Sequence, residues 1–125
     1  MPSKKANRVG TRAEIAAARE YRLTRDGVHT SWCDAQDRDG TPVEIKATDA
    51  GRDYPAFLVY RKYHRALQQK DGHYVFVLYR RRGTGIQALK MKRIHSSKLP
   101  GSTWTSSGGH RDSDQRKVRP AAVFG

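Results

Sequence analysis

The stretch Asp34-Ala-Gln-Asp-Arg-Asp-Gly-Thr-Pro-Val-Glu44-Ile-Lys46 decides the fold of this chain. It predicts two short strands joined by a tight turn, with an acid on the first strand and Glu-x-Lys on the second. Residues two apart on a strand face the same side, so Glu44 and Lys46 are expected to project together.

The length of the turn determines which residues of the two strands face each other. Residues 38–40 suit a three-residue hairpin loop with a left-handed glycine at its third position. In that register Asp34 lies directly opposite Glu44 and on the same face as Lys46. A two-residue Asp-Gly turn would instead pair Asp34 with Ile45 and separate the three side chains. A shared site therefore requires the three-residue loop.

Two carboxylates across one strand pair repel each other unless something neutralises them. A divalent cation is the usual solution, and carboxylate oxygens suit Mg²⁺ or Mn²⁺. A protonated Lys46 cannot be a metal ligand, but it can position an attacking water or stabilise charge that develops on a phosphate. Two acids, a lysine and a metal ion together indicate hydrolysis of a phosphodiester.

An acid on one strand followed by Glu-x-Lys on the next resembles the signature of the PD-(D/E)xK nuclease superfamily, with Asp34, Glu44 and Lys46 at its positions. The family often adds a glutamate on the preceding helix, and Glu14 fits that place. The resemblance covers about residues 9–94 and implies an α/β fold: a single domain with a central mixed β-sheet flanked by helices, a restriction-endonuclease-like core. Two features depart from the pattern, because Cys33 replaces the usual proline before the first acid and the spacing between the acids is short.

Small size, a basic N-terminus and an early helix with an acid make the chain most similar to archaeal Holliday junction resolvases, which would link it to DNA recombination. The resemblance implies that Asp34, Glu44 and the backbone carbonyl of Ile45 hold Mg²⁺ or Mn²⁺. Lys46 would act on the water or the phosphate, and Glu14 would add a ligand or hold a metal-bound water. Because cutting two strands needs two such sites, we expect a homodimer.

Other interpretations of these residues stay open. Asp34 and Glu44 could be solvated hairpin residues with Lys46 as their salt-bridge partner. Thr11-Arg-Ala-Glu14 is also a capping box, in which the threonine and the glutamate satisfy amides at a helix start. The chain as a whole could be a non-catalytic nucleic-acid-binding protein, or a restriction- or repair-type nuclease of the same chemistry.

The charge balance indicates a polyanionic partner. The 125 residues carry 25 Lys and Arg against 12 Asp and Glu, a formal net charge of +13. Such an excess favours nucleic acid, with binding that weakens as salt rises, and we expect the partner to be duplex or branched DNA. Arginine runs are also typical of solvated loops. The candidate DNA-binding residues are Arg8, Arg12, Arg61, Lys62, Arg65, Arg80, Arg81 and Arg82.

Several classes of protein are excluded. No apolar run approaches the roughly 20 residues of a membrane-spanning helix, and the N-terminus lacks the apolar stretch of a secretory signal. A single cysteine, Cys33, rules out an internal disulfide. The five histidines show no zinc-like spacing. We expect a cytoplasmic, nucleoid-associated protein without membrane contact.

The organisation along the chain is expected to be a basic flexible arm over residues 1–10, a nuclease-like domain over 11–94 and a loosely ordered tail over 95–125. Within the domain we expect helices over 11–23 and 54–69 and strands over 28–36, 41–48, 74–79 and 86–93. The run Tyr74–Tyr79 is continuously apolar, as is typical of a central strand covered on both faces. In the tail, Trp104 or Val123-Phe124 could dock on the domain.

Overall fold

The structure, a computed structural model, describes residues 4–25, 32–106 and 114–125, without the side chains of residues 4–9. In chain order the elements are α1 (Lys4–Tyr21), β1 (Ala35–Gln36), β2 (Pro42–Asp49), β3 (Phe57–Tyr60), α2 (Arg61–Gln69), β4 (His73–Arg82), β5 (Gly85–His95), a 3₁₀ turn (Ser96–Lys98), β6 (Gln115–Val118) and α3 (Pro120–Phe124). No helix in these ranges is both long and apolar enough to cross a membrane.

The main sheet has four strands in the order β1-β2-β4-β5. Strand β2 runs parallel to β4, whereas β1 is antiparallel to β2 and β5 is antiparallel to β4. A separate two-stranded sheet pairs β3 with β6. The expected fold is confirmed: a single α/β domain with a central mixed sheet flanked by helices, consistent with a restriction-endonuclease-like core.

Strand β4 is covered on both faces, as its apolar run predicts. Val75 and Val77 lie in a buried cluster with two alanines of helix α1. Tyr74 and Phe76 point the other way, into a second cluster that contains Phe57, Leu67 and Val118. Because alternate residues of one strand serve both clusters, β4 joins the two halves of the core.

Helix α1 begins at Lys4, well before Thr11, so most of the stretch expected to be a flexible arm is helical. Lysine, alanine and arginine in this stretch are good helix formers, and Gly10 lowers helix stability by only about 1 kcal/mol without ending the helix. Thr11 therefore lies inside the helix and cannot be its N-cap residue. The capping-box interpretation of Thr11 and Glu14 is wrong.

The helix expected over residues 54–69 is wrong in its first half, because Phe57–Tyr60 forms β3 and α2 begins only at Arg61. Phe57 and Val59 are buried while Leu58 is exposed, which is the two-residue period of a strand. Phe57, Tyr60, His64 and Leu67 lie near helical spacing in the sequence, but the first two belong to β3 and the last two to α2. Phe57 and Leu67 are both fully buried.

The segment after residue 95 was expected to be loosely ordered, but its described parts are packed into the fold. Strand β6 pairs with β3 from Val118 opposite Phe57 to Gln115 opposite Tyr60. Val118 and Val123 of this segment are buried in the cluster that contains Phe57. Val123 belongs to the Val123-Phe124 pair that was expected to be able to dock on the domain, whereas Val118 lies between Lys117 and Arg119 and its contribution to the core was not predicted.

The β1–β2 hairpin has the predicted register. Ala35 faces Val43 and Gln36 faces Pro42. The N–H of Asp34 donates to the Val43 carbonyl at 2.9 Å, so Asp34 lies at the end of this pairing, next to Glu44. Pro42 is the first residue of β2, as expected for a residue without an amide hydrogen. Strand β1 is shorter than predicted, and residues 28–31 of the expected first strand lie outside the described residues.

The turn of this hairpin is fixed by Asp37 and Gly40. The Gly40 amide donates to the Asp37 carbonyl at 3.0 Å, and Gly40 has a φ of 80°, the left-handed conformation that the three-residue loop requires. The Asp37 carboxylate accepts from the amides of Asp39 and Thr41 at 2.9 Å each. It also pairs with Arg93 of β5 at 2.7 Å, and this hydrogen bond holds the pKa of Asp37 below its usual value.

Replacing Gly40 with alanine should lower the free energy of unfolding by about 1–2 kcal/mol, because a Cβ disfavours the left-handed conformation. No atom lies within 4 Å of the added Cβ, so the loss is conformational rather than steric. Urea denaturation measures it. The matched control is Gly10→Ala inside α1, where the added Cβ also meets no atom within 4 Å and stability should rise by up to about 1 kcal/mol. A neutral Gly40→Ala substitution would contradict the assigned turn.

Candidate active site

Asp34 lies directly before β1, where the pairing of β1 with β2 ends. Its Oδ2 atom accepts a hydrogen bond from the backbone N–H of Ile45 at 2.8 Å. The strand register would place residue 33 opposite Ile45, so the carboxylate takes the place of a main-chain acceptor. This bond holds the Asp34 carboxylate against β2, beside Glu44.

Ile45 can offer only its backbone carbonyl to such a site. Its side chain is buried in the cluster beneath α1. In a strand, the N–H and C=O groups of one residue point toward the same neighbouring strand. Because the Ile45 N–H points to Asp34, its carbonyl also lies along the edge of β2 where β1 has ended.

Glu44 and Lys46 project from the same face of β2, and the Glu44 Oε2 atom lies 3.9 Å from the Lys46 Nζ atom. Only 7% of Glu44 is exposed. Burial, a hydrogen bond with Asp34 and repulsion from Asp34 and Glu14 raise the pKa of Glu44 well above its usual value, while Lys46 opposes the rise. This burial rules out the interpretation of Glu44 as a solvated hairpin residue.

Glu14 approaches the acidic pair from helix α1, but its closest partner is Arg25. The Arg25 Nη2 atom lies 2.7 Å from Glu14 Oε2. Burial and repulsion from Asp34 raise the pKa of Glu14, and Arg25 opposes the rise. No motif in the sequence pointed to Arg25, because this contact joins a helix to the irregular segment that follows it.

The described ranges contain no group of three or more His, Cys, Asp or Glu residues placed to hold a metal ion. What they offer is a pair of adjacent carboxylates, Asp34 and Glu44, with the Ile45 carbonyl on the same edge of β2. Burial raises the pKa of Glu44 most, and the negative charges of Asp34 and Glu14 add to the rise. A bound divalent cation would neutralise that charge. Mg²⁺ keeps several waters and uses few protein carboxylates, so this donor set fits a hydrated ion.

A family model described as the PD-(D/E)XK nuclease superfamily domain matches residues 1–125, the whole of this chain. The chain belongs to the PD-(D/E)XK nuclease superfamily. Membership implies a nuclease, a hydrolase whose substrate is a nucleic acid. The match also includes the C-terminal segment, which lay beyond the resemblance seen in the sequence. No curated protein matches the chain.

In this nuclease a buried Tyr74–His64 pair lies next to the acids. Tyr74 is the neighbour of Glu44 in the parallel β2–β4 pairing. Its hydroxyl lies 2.8 Å from the Nδ1 atom of His64 on α2. Burial and the nearby Glu44 raise the pKa of Tyr74, and burial lowers the pKa of His64, so both side chains favour their neutral forms. Because this pair joins a helix to a strand, the two residues have no characteristic spacing by which the sequence could reveal the contact.

Four of the predicted DNA-binding residues lie near one end of the sheet. Arg80, Arg81 and Arg82 are exposed at the end of β4. Arg12 of α1 reaches them, because its Nη1 atom lies 3.5 Å from the position that a Cβ on Gly85 would occupy. The side chain of Arg8 lies outside the described part of the structure.

The other three predicted DNA-binding residues lie on helix α2. Arg61 is 3.4 Å from Asp114, and the Lys62 Nζ atom lies 5.9 Å from the centre of the Tyr63 ring. Arg65 is exposed. The structure therefore separates the predicted basic residues into two groups, and their contact with DNA stays a prediction.

The metal-free nuclease should become more stable at neutral pH when Glu44 is replaced by glutamine. The folded-state pKa of Glu44 is raised well above its usual value of 4.5. The folded state therefore binds more protons than the unfolded state above that value, and stability falls as pH rises through this window. Urea denaturation with a chelator, from about pH 5 to about pH 8, should show a weaker loss of stability in Glu44→Gln than in wild type.

The control for this experiment is Asp39→Asn, which removes an exposed carboxylate from the same hairpin. It should follow the wild-type pH dependence. Mg²⁺ should stabilise the wild type more than Glu44→Gln. Equal pH profiles for wild type and Glu44→Gln would show that Glu44 is not held in a crowded acidic site.

Proposed function

We propose that this chain is a metal-dependent endonuclease that hydrolyses DNA phosphodiesters. The observation that carries the proposal is the meeting of Asp34, Glu44 and Lys46 on one edge and face of β2. Two adjacent acids, one of them buried with a raised pKa, are costly in a fold unless they serve a ligand. Because the chain belongs to a nuclease superfamily, we infer that this ligand is a metal ion that assists phosphodiester hydrolysis.

Asp34, Glu44 and the Ile45 carbonyl would hold Mg²⁺ or Mn²⁺. When bound, such an ion would neutralise charge on the substrate phosphate and make a coordinated water more acidic. The site is preorganised before an ion binds. The Ile45 amide holds the Asp34 carboxylate by a hydrogen bond, and burial restricts the Glu44 carboxylate. Glu14, restrained by Arg25, would hold a metal-bound water rather than bind the ion directly.

Lys46 would orient the attacking water or stabilise negative charge that builds on the phosphate oxygens. At 3.9 Å its contact with Glu44 is too long to be a strong ion pair. The side chain is 21% exposed, so the ammonium group is accessible to a substrate while its stem is packed.

The substrate we propose is duplex or branched DNA, held by the excess positive charge of the chain. The proposed contacts are Arg8, Arg12, Arg61, Lys62, Arg65, Arg80, Arg81 and Arg82. Four-way junctions are the favoured substrate, because the small size, the basic N-terminus and an early helix with an acid resemble archaeal Holliday junction resolvases. Cutting two strands of a junction needs two sites, so a homodimer acting at the nucleoid completes the proposal.

Lys46→Ala should lower the cleavage rate by about 100-fold or more, because one preorganised charge-stabilising group is lost. Asp34→Asn and Glu44→Gln should abolish cleavage yet keep or strengthen DNA binding, since each removes a charge that repels phosphate. The assay uses labelled linear duplex, flap and four-way-junction DNA with Mg²⁺. Lys70→Ala, which removes an exposed lysine after α2, serves as the control and should cut at the wild-type rate.

Binding without cleavage by the wild type, with no change in Lys46→Ala, would favour a non-catalytic nucleic-acid-binding protein. Faster cleavage of linear duplex than of junctions would favour a restriction- or repair-type nuclease. Wild-type cutting by Asp34→Asn or Glu44→Gln would show that the site is assigned to the wrong residues.

A further inference from the structure

The β4–β5 hairpin extends beyond the rest of its sheet. Strand β2 pairs with β4 only as far as Asp49 opposite Tyr79. Strands β4 and β5 stay paired beyond that point, to Arg82 opposite Gly85. Residues 80–87 therefore form a two-stranded ribbon that projects past the end of β2, and we call this segment the β-arm.

The β-arm concentrates exposed positive charge. Arg80, Arg81 and Arg82 are all exposed, and residues 80–87 include no acid. Arg80 donates from Nε to the Gln87 Oε1 atom at 2.7 Å, which holds its side chain across the ribbon. Arg81 lies 3.3 Å from Asp49 and is partly neutralised. Arg80 and Arg82 thus carry most of the charge that the arm can offer to a partner.

Arg80 and Arg82 lie on the same face of the sheet as Lys46. Lys46 is the neighbour of Phe76 in the parallel pairing, and residues of β4 that differ by two share a face. Arg81 gives an independent check of this alternation. It contacts Asp49, which pairs with Tyr79 in the sheet. Tyr79 packs on the face of the sheet that α1 covers, which is the face opposite to Lys46.

The distance from Lys46 to the end of the arm follows from strand geometry. From Phe76 to Arg82 the chain advances six residues along β4, which is about 20 Å at about 3.3 Å per residue. One strand of duplex DNA rises about 3.4 Å per nucleotide, so this length corresponds to about six base pairs. A shift of register between Leu78 and Tyr79 marks a bulge at the base of the arm, where added twist turns the ribbon relative to the sheet.

We propose that the β-arm binds the phosphate backbone of a DNA duplex about six base pairs from the phosphate that Lys46 faces. The inference rests on the proposed function, because the distance is measured from the proposed catalytic lysine. Guanidinium groups match phosphate oxygens in pairs, and a two-stranded ribbon fits along the major groove. If the arm binds in this way, the substrate must include base-paired DNA on one side of the cleavage point.

The first test compares two double variants that remove the same charge from opposite ends of the sheet. Arg80→Ser/Arg82→Ser alters the arm, and the control Lys70→Ser/Lys98→Ser alters exposed lysines next to the other end of β4 and β5. Duplex affinity is measured across a range of salt concentrations without divalent cations. The logarithmic salt slope of the arm variant should fall by about two, since each phosphate contact contributes about 0.9. The control should keep the wild-type slope.

The second test shortens the duplex on either side of the mapped cut. Trimming one side to fewer than about six base pairs should weaken wild-type binding as much as the arm substitution does. The arm variant should not respond to that trimming, because the contact is already lost. An arm variant that loses as much affinity on trimming as the wild type would overturn the proposal.

The two proposals fail in different ways. If the wild type cuts DNA and the arm variant keeps the wild-type salt slope, the β-arm proposal is wrong and the nuclease proposal stands. If the wild type cuts no DNA but the arm variant shows the smaller slope, the arm binds DNA and the proposed catalysis is wrong. Both double variants should unfold at the wild-type temperature, which would show that the exposed substitutions leave the fold intact.

Discussion

The hydrogen bond from the Ile45 amide to the Asp34 carboxylate is the contact on which the candidate site depends. It exists because a three-residue turn sets the hairpin register, and that turn needs the left-handed Gly40. A register shift of one residue would move Asp34 away from Glu44 and onto the other face relative to Lys46. Asp37 secures the turn, and Arg93 ties it to the far strand of the sheet.

Burial of Glu44 beside Asp34 is unfavourable for the protein alone. A carboxylate taken out of water next to a second carboxylate binds protons more tightly, and the long contact with Lys46 does not offset that effect. Around this pair the fold is well packed, with neutral Tyr74 and His64 on one side and helix α1 on the other. Such a local departure from the usual rules of stability is typical of a site built for a ligand.

Local chemistry explains which parts of the fold the sequence predicted. The hairpin register follows from the turn at residues 38–40, and β4 follows from one continuous apolar run. The errors at β3 and the C-terminal segment arise because β3 pairs with a strand near the end of the chain. A further error placed the start of α1 at Thr11 instead of Lys4. Asp34, Glu44 and Lys46 were found by their spacing, whereas the Glu14–Arg25 and Tyr74–His64 contacts depend on how separate elements meet. The catalytic and metal-binding roles themselves stay predictions.

Paramagnetic broadening of backbone amide NMR signals by Mn²⁺ tests the central claim most directly. Substoichiometric Mn²⁺ should broaden the amides of Asp34, Glu44 and Ile45 before any others, and Glu44→Gln should remove that selectivity. Broadening centred on another part of the chain, or an unchanged pattern in Glu44→Gln, would contradict a metal site at the end of the β1–β2 pairing.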